Sequence, residues 1–451
     1  MSQKGTATEL GEQPIGKLLM QYAVPAIIAM TASSLYNMID SIFIGHGVGA
    51  MAISGLAITF PLMNLAAAFG SLVGVGASTL VSVKLGQKDY DTAQLILGNV
   101  ISLNVLIGIG FTILTLLFLD PILYFFGASE ATISYARDYM VVILLGNVVT
   151  HMYLGLNSVL RAAGYPQKAM FATIMTVGIN TILAPIFIFV FHWGIQGVAM
   201  ATVLAQIIAL TWQIKLFCRK NELLRLKKGI YRLRSNLVQN IIGIGLAPFF
   251  MNIAACMIVI LINKGLKLYD GDLAIGAFGI VNRISFLFVM IVMGLNQGMQ
   301  PIAGYNYGAR QYARVNQVMK ITVIAATIVT TTGFLVGELI PELVAKAFTT
   351  DQTLIELSAR GLRITVMFFP IIGFQMVTSN FFQSIGMARK AIILSLSRQV
   401  MILIPLLLIL PLFWGVDGIW FSMPISDLTA SVIAAFMLYN QVKQFKRQAM
   451  A

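Results

Sequence analysis

The sequence predicts an all-α polytopic membrane protein, with 12 transmembrane helices in two pseudo-symmetric six-helix bundles. Three observations carry this. Hydrophobic residues fill 58% of the 451 positions and charged residues only 10%, against about 25% charged in a soluble domain. The apolar runs are continuous over about 20 residues, long enough to span a bilayer as helices, and lack the residue-by-residue alternation of a membrane barrel. The chain also matches itself at a shift close to half its length.

Twelve apolar runs follow in order, at about 15–44, 52–83, 93–119, 132–160, 169–192, 195–217, 238–263, 273–303, 316–340, 354–382, 391–413 and 418–441. Several exceed one span, so they tilt or continue beyond the bilayer. Pro25, Pro61, Pro185, Pro248, Pro301, Pro370, Pro405 and Pro424 interrupt them. Each proline removes a backbone hydrogen bond and permits a bend.

Basic residues cluster between runs. With the N-terminus inside, the inner segments hold Lys4, Lys17, Lys84, Lys88, Arg161, Lys168, the basic stretch Lys215 to Arg234, Arg310, Arg314, Lys320, Arg389, Lys390, Arg398, Lys443, Lys446 and Arg447. Only Arg137, Lys264, Lys267, Arg283, Lys346, Arg360 and Arg363 fall elsewhere, while Asp120, Glu130, Asp270, Asp272, Glu338, Glu342 and Asp351 gather on the opposite side. Both termini therefore read as cytoplasmic, in a multi-pass protein of the cell (inner) membrane. The net charge of +13 is this topology signal and not a nucleic-acid face. Cys218 and Cys256 form no metal-ligand or disulfide pattern. Met1–Gly16, with Glu9 and Glu12, has no short apolar core with a cleavage site, so no signal peptide is expected.

The repeat is carried by loops. Lys84–Tyr90 answers Asn306–Tyr312, placing Gly86 on Gly308 and Tyr90 on Tyr312 at an offset of 222; Gly164 and Lys168 answer Gly386 and Lys390 at the same offset. Trp193-Gly194 and Gly197 answer Trp414-Gly415 and Gly418 at 221; Pro25 answers Pro248 at 223, which takes Asp40 to Asn263. Apolar bias does not align glycines and lysines. The expected division is 1–218 as an N-lobe, 219–236 as a basic linker, partly an amphipathic helix on the inner leaflet, and 237–451 as a C-lobe. An even number of spans per half makes the repeat parallel, which is transporter architecture. There is no repeated filter for a channel, and no Gly-x-x-x-x-Gly-Lys-Ser/Thr loop, nucleophile or metal cluster for an ATP-driven pump or an enzyme. No cofactor is expected, and an ion gradient or the membrane potential must supply the energy.

Within the first run one acidic residue stands out. Asp40 lies deep in the apolar stretch Ile15–Ile44, and Ser33, Tyr36 and Asn37 share its helix face. An ionised carboxylate there costs several kcal/mol or more unless paired, hydrated or protonated. A carboxylate snorkelling toward Gly45–Gly47 is the structural alternative. The functional one is a proton or cation site facing a cavity. His46, His151 and His192 are further candidates for proton transfer; His46 and His192 lie near outer ends of runs, and only His151 lies well inside one. Arg283, Asn296, Gln297, Gln375 and Asn380 are polar groups within the later runs.

The chain resembles the multidrug and toxic compound extrusion (MATE) family, in its DinF-like or MepA-like branch. Pro25 with Tyr36–Gly45, Gly74–Ser78 leading to Lys84-Leu-Gly86, Leu160–Gly164, Asn180–Phe189 and Gln300–Gly308 carry the resemblance over almost the full length. It implies a V-shaped pair of six-helix lobes in a monomer. The implied activity is secondary active efflux of amphipathic, often cationic or aromatic drugs and toxins, by antiport with H⁺ or Na⁺. It further implies Asp40 as the coupling carboxylate with Asn180, Thr202 and Tyr139 about it, Tyr36, Asn37 and Asn157 toward substrate, and Pro25 as a hinge. Na⁺ would sit at Asp40, Asn180 and Thr202. One departure is Ala184, where the family pattern Asn-x-x-x-Asp-Pro has an acidic residue; the second carboxylate of one pocket is lost. The alternative reading, a lipid-linked oligosaccharide flippase, calls for a strongly cationic cavity, and few Lys or Arg lie within the runs.

Overall fold

The computed structural model describes residues 5–219 and 222–450. A short α1 (Gly5–Glu12) precedes α2 (Ile15–Gly47), α3 (Ala50–Gly86), α4 (Tyr90–Leu117), a short α5 (Leu119–Phe125), α6 (Ile133–Leu145), α7 (Asn147–Ala162), α8 (Pro166–Pro185) and α9 (Gly194–Phe217). The second half runs α10 (Ser235–Asp270), α11 (Asp272–Gly308), α12 (Tyr312–Leu339), a short α13 (Pro341–Lys346), α14 (Gln352–Val366), α15 (Phe369–Ser384), α16 (Ala388–Leu396), α17 (Ile404–Trp414) and α18 (Val416–Met450). Wider π-helical turns extend α8 over Ile186–Val190 and join α16 to α17 over Ser397–Leu403. Among the described residues ten helical segments are individually long and apolar enough to cross a membrane, and up to twelve if each of two bent pairs is one span. The protein is therefore a multi-pass, all-helical membrane protein.

The bent pairs are α6–α7, turning by 55° at Gly146, and α14–α15, turning by 54° at Met367–Phe368. These points are one repeat apart. In the second half Pro370 supplies the cause, since it cannot donate and disfavours helical backbone before it. In the first half Gly146 does, with Val203 packed where its Cβ would be.

The repeat also shows in the backbone. Left-handed residues pair off as Gly49 and Gly271, Lys88 and Arg310, Gly164 and Gly386, and Gly194 and Gly415. At the first loop, Lys88 N–H bonds to Leu85 O and Asp89 N–H to Lys84 O; Arg310 N–H bonds to Tyr307 O and Gln311 N–H to Asn306 O. Both are helix-ending motifs that close the last carbonyls with a left-handed residue. The aligned Gly86 and Gly308 are thus the last helical residues; the unusual φ falls two positions later, on Lys88 and Arg310.

Two compact units form, and the linker is not the cut between them. One contains Ile28–Phe249, the other Gln13–Ile27 with Phe250 onward. Both α2 and α10 change unit just after their matched prolines, Pro25 and Pro248. Each unit accepts the other half's opening helical segment through glycines. In the first unit Gly76 lies against the Ile241 carbonyl and Gly245 against the Leu72 carbonyl, so close that a Cβ would overlap either one. In the second, a Cβ on Gly298 would lie 2.6 Å from Ala23 backbone atoms, and Gly294 packs on Ile27. Such small-residue crossings let helix backbones approach in a membrane, where no hydrophobic force drives helices together.

The linker departs from the expected amphipathic helix. Lys220 and Asn221 lie outside the described residues, and Glu222–Arg234 contains no helix. It runs as an irregular strap held by side chains of α4. Gln94 exchanges two hydrogen bonds with the Arg225 backbone, donating to its carbonyl and accepting from its N–H at 3.0 Å. Asn99 accepts from Arg234 N–H at 3.0 Å and donates to Arg232 O at 3.3 Å, and Ser102 donates to Tyr231 O at 2.6 Å. Gly98 gives room for the Ile230 carbonyl. These side chains supply the partners a helix would have supplied internally. Replacing both Gln94 and Asn99 by Ala should therefore speed limited trypsin cleavage at the exposed Lys227 and Lys228 by about tenfold or more. Equal cleavage rates would count against this anchoring.

Candidate functional site

The first unit brings Asp40, Asn180 and Thr202 together from three helices. Asp40 sits on α2 with only 6% of its surface exposed; Asn180 on α8 is fully buried and Thr202 on α9 nearly so. Tyr36, one turn before Asp40 on the same face, completes the group as its position requires. Its hydroxyl lies 2.8 Å from Thr202 Oγ1 and beside the Asp40 carboxylate.

Asn180 has one amide orientation that satisfies every atom. Its Nδ2 donates to Asp40 Oδ1 at 3.0 Å, while its Oδ1 accepts from Thr202 Oγ1 at 2.9 Å and from the Thr202 backbone N–H at 3.1 Å. The opposite orientation would aim a carbonyl oxygen at a carboxylate and an NH₂ group at an N–H. Thr202 Oγ1 also lies 3.1 Å from Val198 O, an acceptor one turn back on α9. Asp40 thus faces two donors, Asn180 and Tyr36, deep in a membrane span. It pairs with no Lys or Arg among the described residues.

The hydroxyls can run in either direction. With Asp40 ionised, Thr202 donates to Asn180 Oδ1, and the Tyr36 hydroxyl donates to Thr202 Oγ1 or turns to the carboxylate. With Asp40 protonated, its O–H donates to Tyr36, Tyr36 to Thr202 Oγ1, and Thr202 to Val198 O. Each state leaves every hydroxyl proton with an acceptor, so one proton can be taken up without orphaning a buried polar group.

The other expected residues stand further off. Tyr139 is buried against Leu62, Leu123 and Ile188; its phenol interacts electrostatically with Asp40 and Tyr36 and hydrogen-bonds no described residue. Asn157 is not joined to Asp40. Its amide donates to Thr173 Oγ1 at 3.1 Å, with Tyr153 beside it, and Thr173 lies two turns, about 10 Å, from Asn180 along α8. The Asn37 side chain lies outside the described residues. Pro25 does not break α2, which continues from Ile15 to Gly47. His151 places Nε2 3.0 Å from Ala66 O and has no hydrogen-bonded link to Asp40.

Ala184, one turn beyond Asn180, lies in a small apolar cluster with Phe187 and Ala201 against Phe43 and Leu183. No second carboxylate joins Asp40 there. In the satisfied amide orientation the nearest atom of Asn180 to the carboxylate is nitrogen, and its oxygen is already shared by two Thr202 donors. Among the described residues no group of three or more His, Cys, Asp or Glu converges.

Ten to twelve candidate membrane spans in two matched halves, with a polar site buried in one of them, are the architecture of a polytopic membrane transporter. The chain belongs to the MatE family, whose sequence profile matches residues 25–186 and 244–409. It is 28% identical over 429 residues to the multidrug export protein MepA of Staphylococcus haemolyticus (strain JCSC1435), covering 95% of this chain and 94% of that protein. It is 27% identical over 428 residues to MepA of Staphylococcus aureus (strain MSSA476), with the same coverage. Among solved structures, a complex of the MATE multidrug transporter DinF-BH is 33% identical with a TM-score of 0.89, covering 97% of this chain and 98% of that one. A MATE structure in the bent conformation superposes with a TM-score of 0.93 over 100% of both chains at 22% identity, a likeness of fold alone.

Proposed function

We propose that this protein is a multidrug exporter of the cell membrane that exchanges amphipathic, often cationic small molecules for H⁺, with both termini cytoplasmic. The observation that carries the reading is the buried Asp40, which faces hydrogen-bond donors from two other groups and, among the described residues, no fixed cation. Ionised, it offers a negative charge to a cationic compound; protonated, it withdraws that charge while its partners reverse their hydrogen bonds. Drug and proton then favour different states of one carboxylate, and each can displace the other. The proton is favoured over Na⁺ because only one carboxylate is present and an amide nitrogen faces it. Pro25 is a suitable flexing point, since α2 passes between compact units three residues later. Kinship with proteins named for multidrug export supports the substrate class.

The test is dye efflux from proteoliposomes under a proton gradient or a sodium gradient imposed separately. Efflux driven by the proton gradient and indifferent to sodium is expected. Efflux that follows sodium alone would overturn proton coupling, and no gradient-driven transport at all would overturn the exporter reading.

A further inference from the structure

The second unit holds an ion pair inside its spans that the Asp40 mechanism does not use. Arg398 Nε donates to Asp427 Oδ1 at 2.7 Å. Arg398 lies about ten residues into the span formed by α16 and α17, and Asp427 about eleven into α18, so each is some 15 Å from its helix end and near the middle of the membrane. The Asp427 side chain is 6% exposed and that of Arg398 26%.

Arg398 is held at two points. It lies in the π-helical turn Ser397–Leu403, and wide turns of this kind are rare and cluster at functional sites. The Ser426 hydroxyl donates to the Arg398 carbonyl at 2.7 Å, while the next residue on α18, Asp427, takes the side chain. The repeat places Thr176 and Gln206 at the matching positions of the first half, so the charges are not a shared requirement of the fold.

The guanidinium is only partly used. Arg137 meets both oxygens of Asp120 through Nε and Nη2, and Arg360 meets both oxygens of Asp417 through Nη2. Arg398 engages one oxygen through Nε alone, and its two terminal nitrogens bond to no described residue. Four cationic N–H groups at this depth must face water or a ligand, since hydrocarbon cannot satisfy them. The planar terminal fork matches a carboxylate or sulfonate bidentately.

We propose that Arg398, positioned by Ser426 and partly neutralised by Asp427, is a binding site for the anionic group of a transported amphiphile, giving the protein a carboxylate or sulfonate subsite separate from Asp40. This rests on the reading of the chain as an exporter of amphiphiles. Asp427 competes with the ligand for one guanidinium. Removing Asp427 alone therefore strengthens anion binding, whereas removing both charges abolishes it.

The test uses the full chain in nanodiscs with fluorescein, an aromatic carboxylate, as the anionic probe and tetraphenylphosphonium as the cationic one. Fluorescein binding, read by anisotropy, should weaken about tenfold or more in R398Q/D427N and tighten several-fold in Asp427→Asn. Tetraphenylphosphonium binding should stay within about twofold in both. The double variant leaves no lone buried charge and is expected to remain folded, which thermal unfolding checks. Failure of the wild-type protein to bind fluorescein, or equal binding by R398Q/D427N, would overturn the proposal. Failure of the exporter reading would show separately, as the absence of any gradient-driven tetraphenylphosphonium export by the wild-type protein.

Discussion

Proton-driven export by Asp40→Asn is expected to fall to the level of protein-free vesicles. Asparagine keeps the size and shape of the side chain, so α2 should pack as before, but it neither gains nor loses a proton. It also sets an NH₂ group where Asn180 Nδ2 and the Tyr36 hydroxyl now converge as donors. Affinity for a permanently cationic dye should drop as well, because the fixed negative charge is gone. Tyr36→Phe gives a graded comparison. It leaves Asp40 in place but removes the hydroxyl that faces its carboxylate, so the ionised Asp40 loses a donor. A hydrogen bond to a charged group is worth about 1.5–3 kcal/mol, so transport should slow by roughly ten- to a hundredfold. Wild-type rates from Asp40→Asn under a proton gradient would exclude Asp40 as the coupling group.

The largest loss of stability is expected at the glycine crossings. Gly76→Ala and Gly245→Ala should each destabilise the protein by about 2–4 kcal/mol, read as a lower Tm in thermal unfolding. At each position the new methyl would meet a backbone carbonyl, Ile241 or Leu72, and a backbone cannot swing aside as a flexible side chain can. Two helices would have to separate along their contact. Gly243→Ala on the same helix is the control, since nothing lies within 4 Å of its Cβ position. There, only helix propensity acts, and the change should be neutral or stabilising by up to about 1 kcal/mol. Equal effects at Gly76, Gly245 and Gly243 would show that close approach is not what these residues provide.

The site is partly legible in the chain. Asp40 announces itself because a carboxylate inside an apolar run has few inexpensive explanations, and Tyr36 follows from helical spacing. Asn180 and Thr202 come from family resemblance, since spacing says nothing about partners more than a hundred residues away. The same rule that singles out Asp40 applies to Asp427, in the middle of the twelfth apolar run. It escapes notice because Arg398, its partner, reads as an inner-side residue when only its nearness to Arg389 and Lys390 is weighed. Resemblance draws Asn157 to the site, and the fold turns it to Thr173 instead. The linker misleads for a simpler reason. Its basic residues suit an amphipathic helix on a membrane surface, but Gln94, Asn99 and Ser102 of α4 capture its backbone first.

Number and order of spans, the two-fold repeat and the places where helices end follow from local chemistry: runs of apolar transfer energy and helix-ending geometry. These act within a few residues, so the linear order of residues suffices to specify them. Assignment of 13–27 and 235–249 to opposite units, the strap along α4, and the choice of Asn180 nitrogen over oxygen for Asp40 depend on which surfaces meet. That is settled by close packing between segments far apart in the chain, where one methyl or one amide rotation changes the outcome.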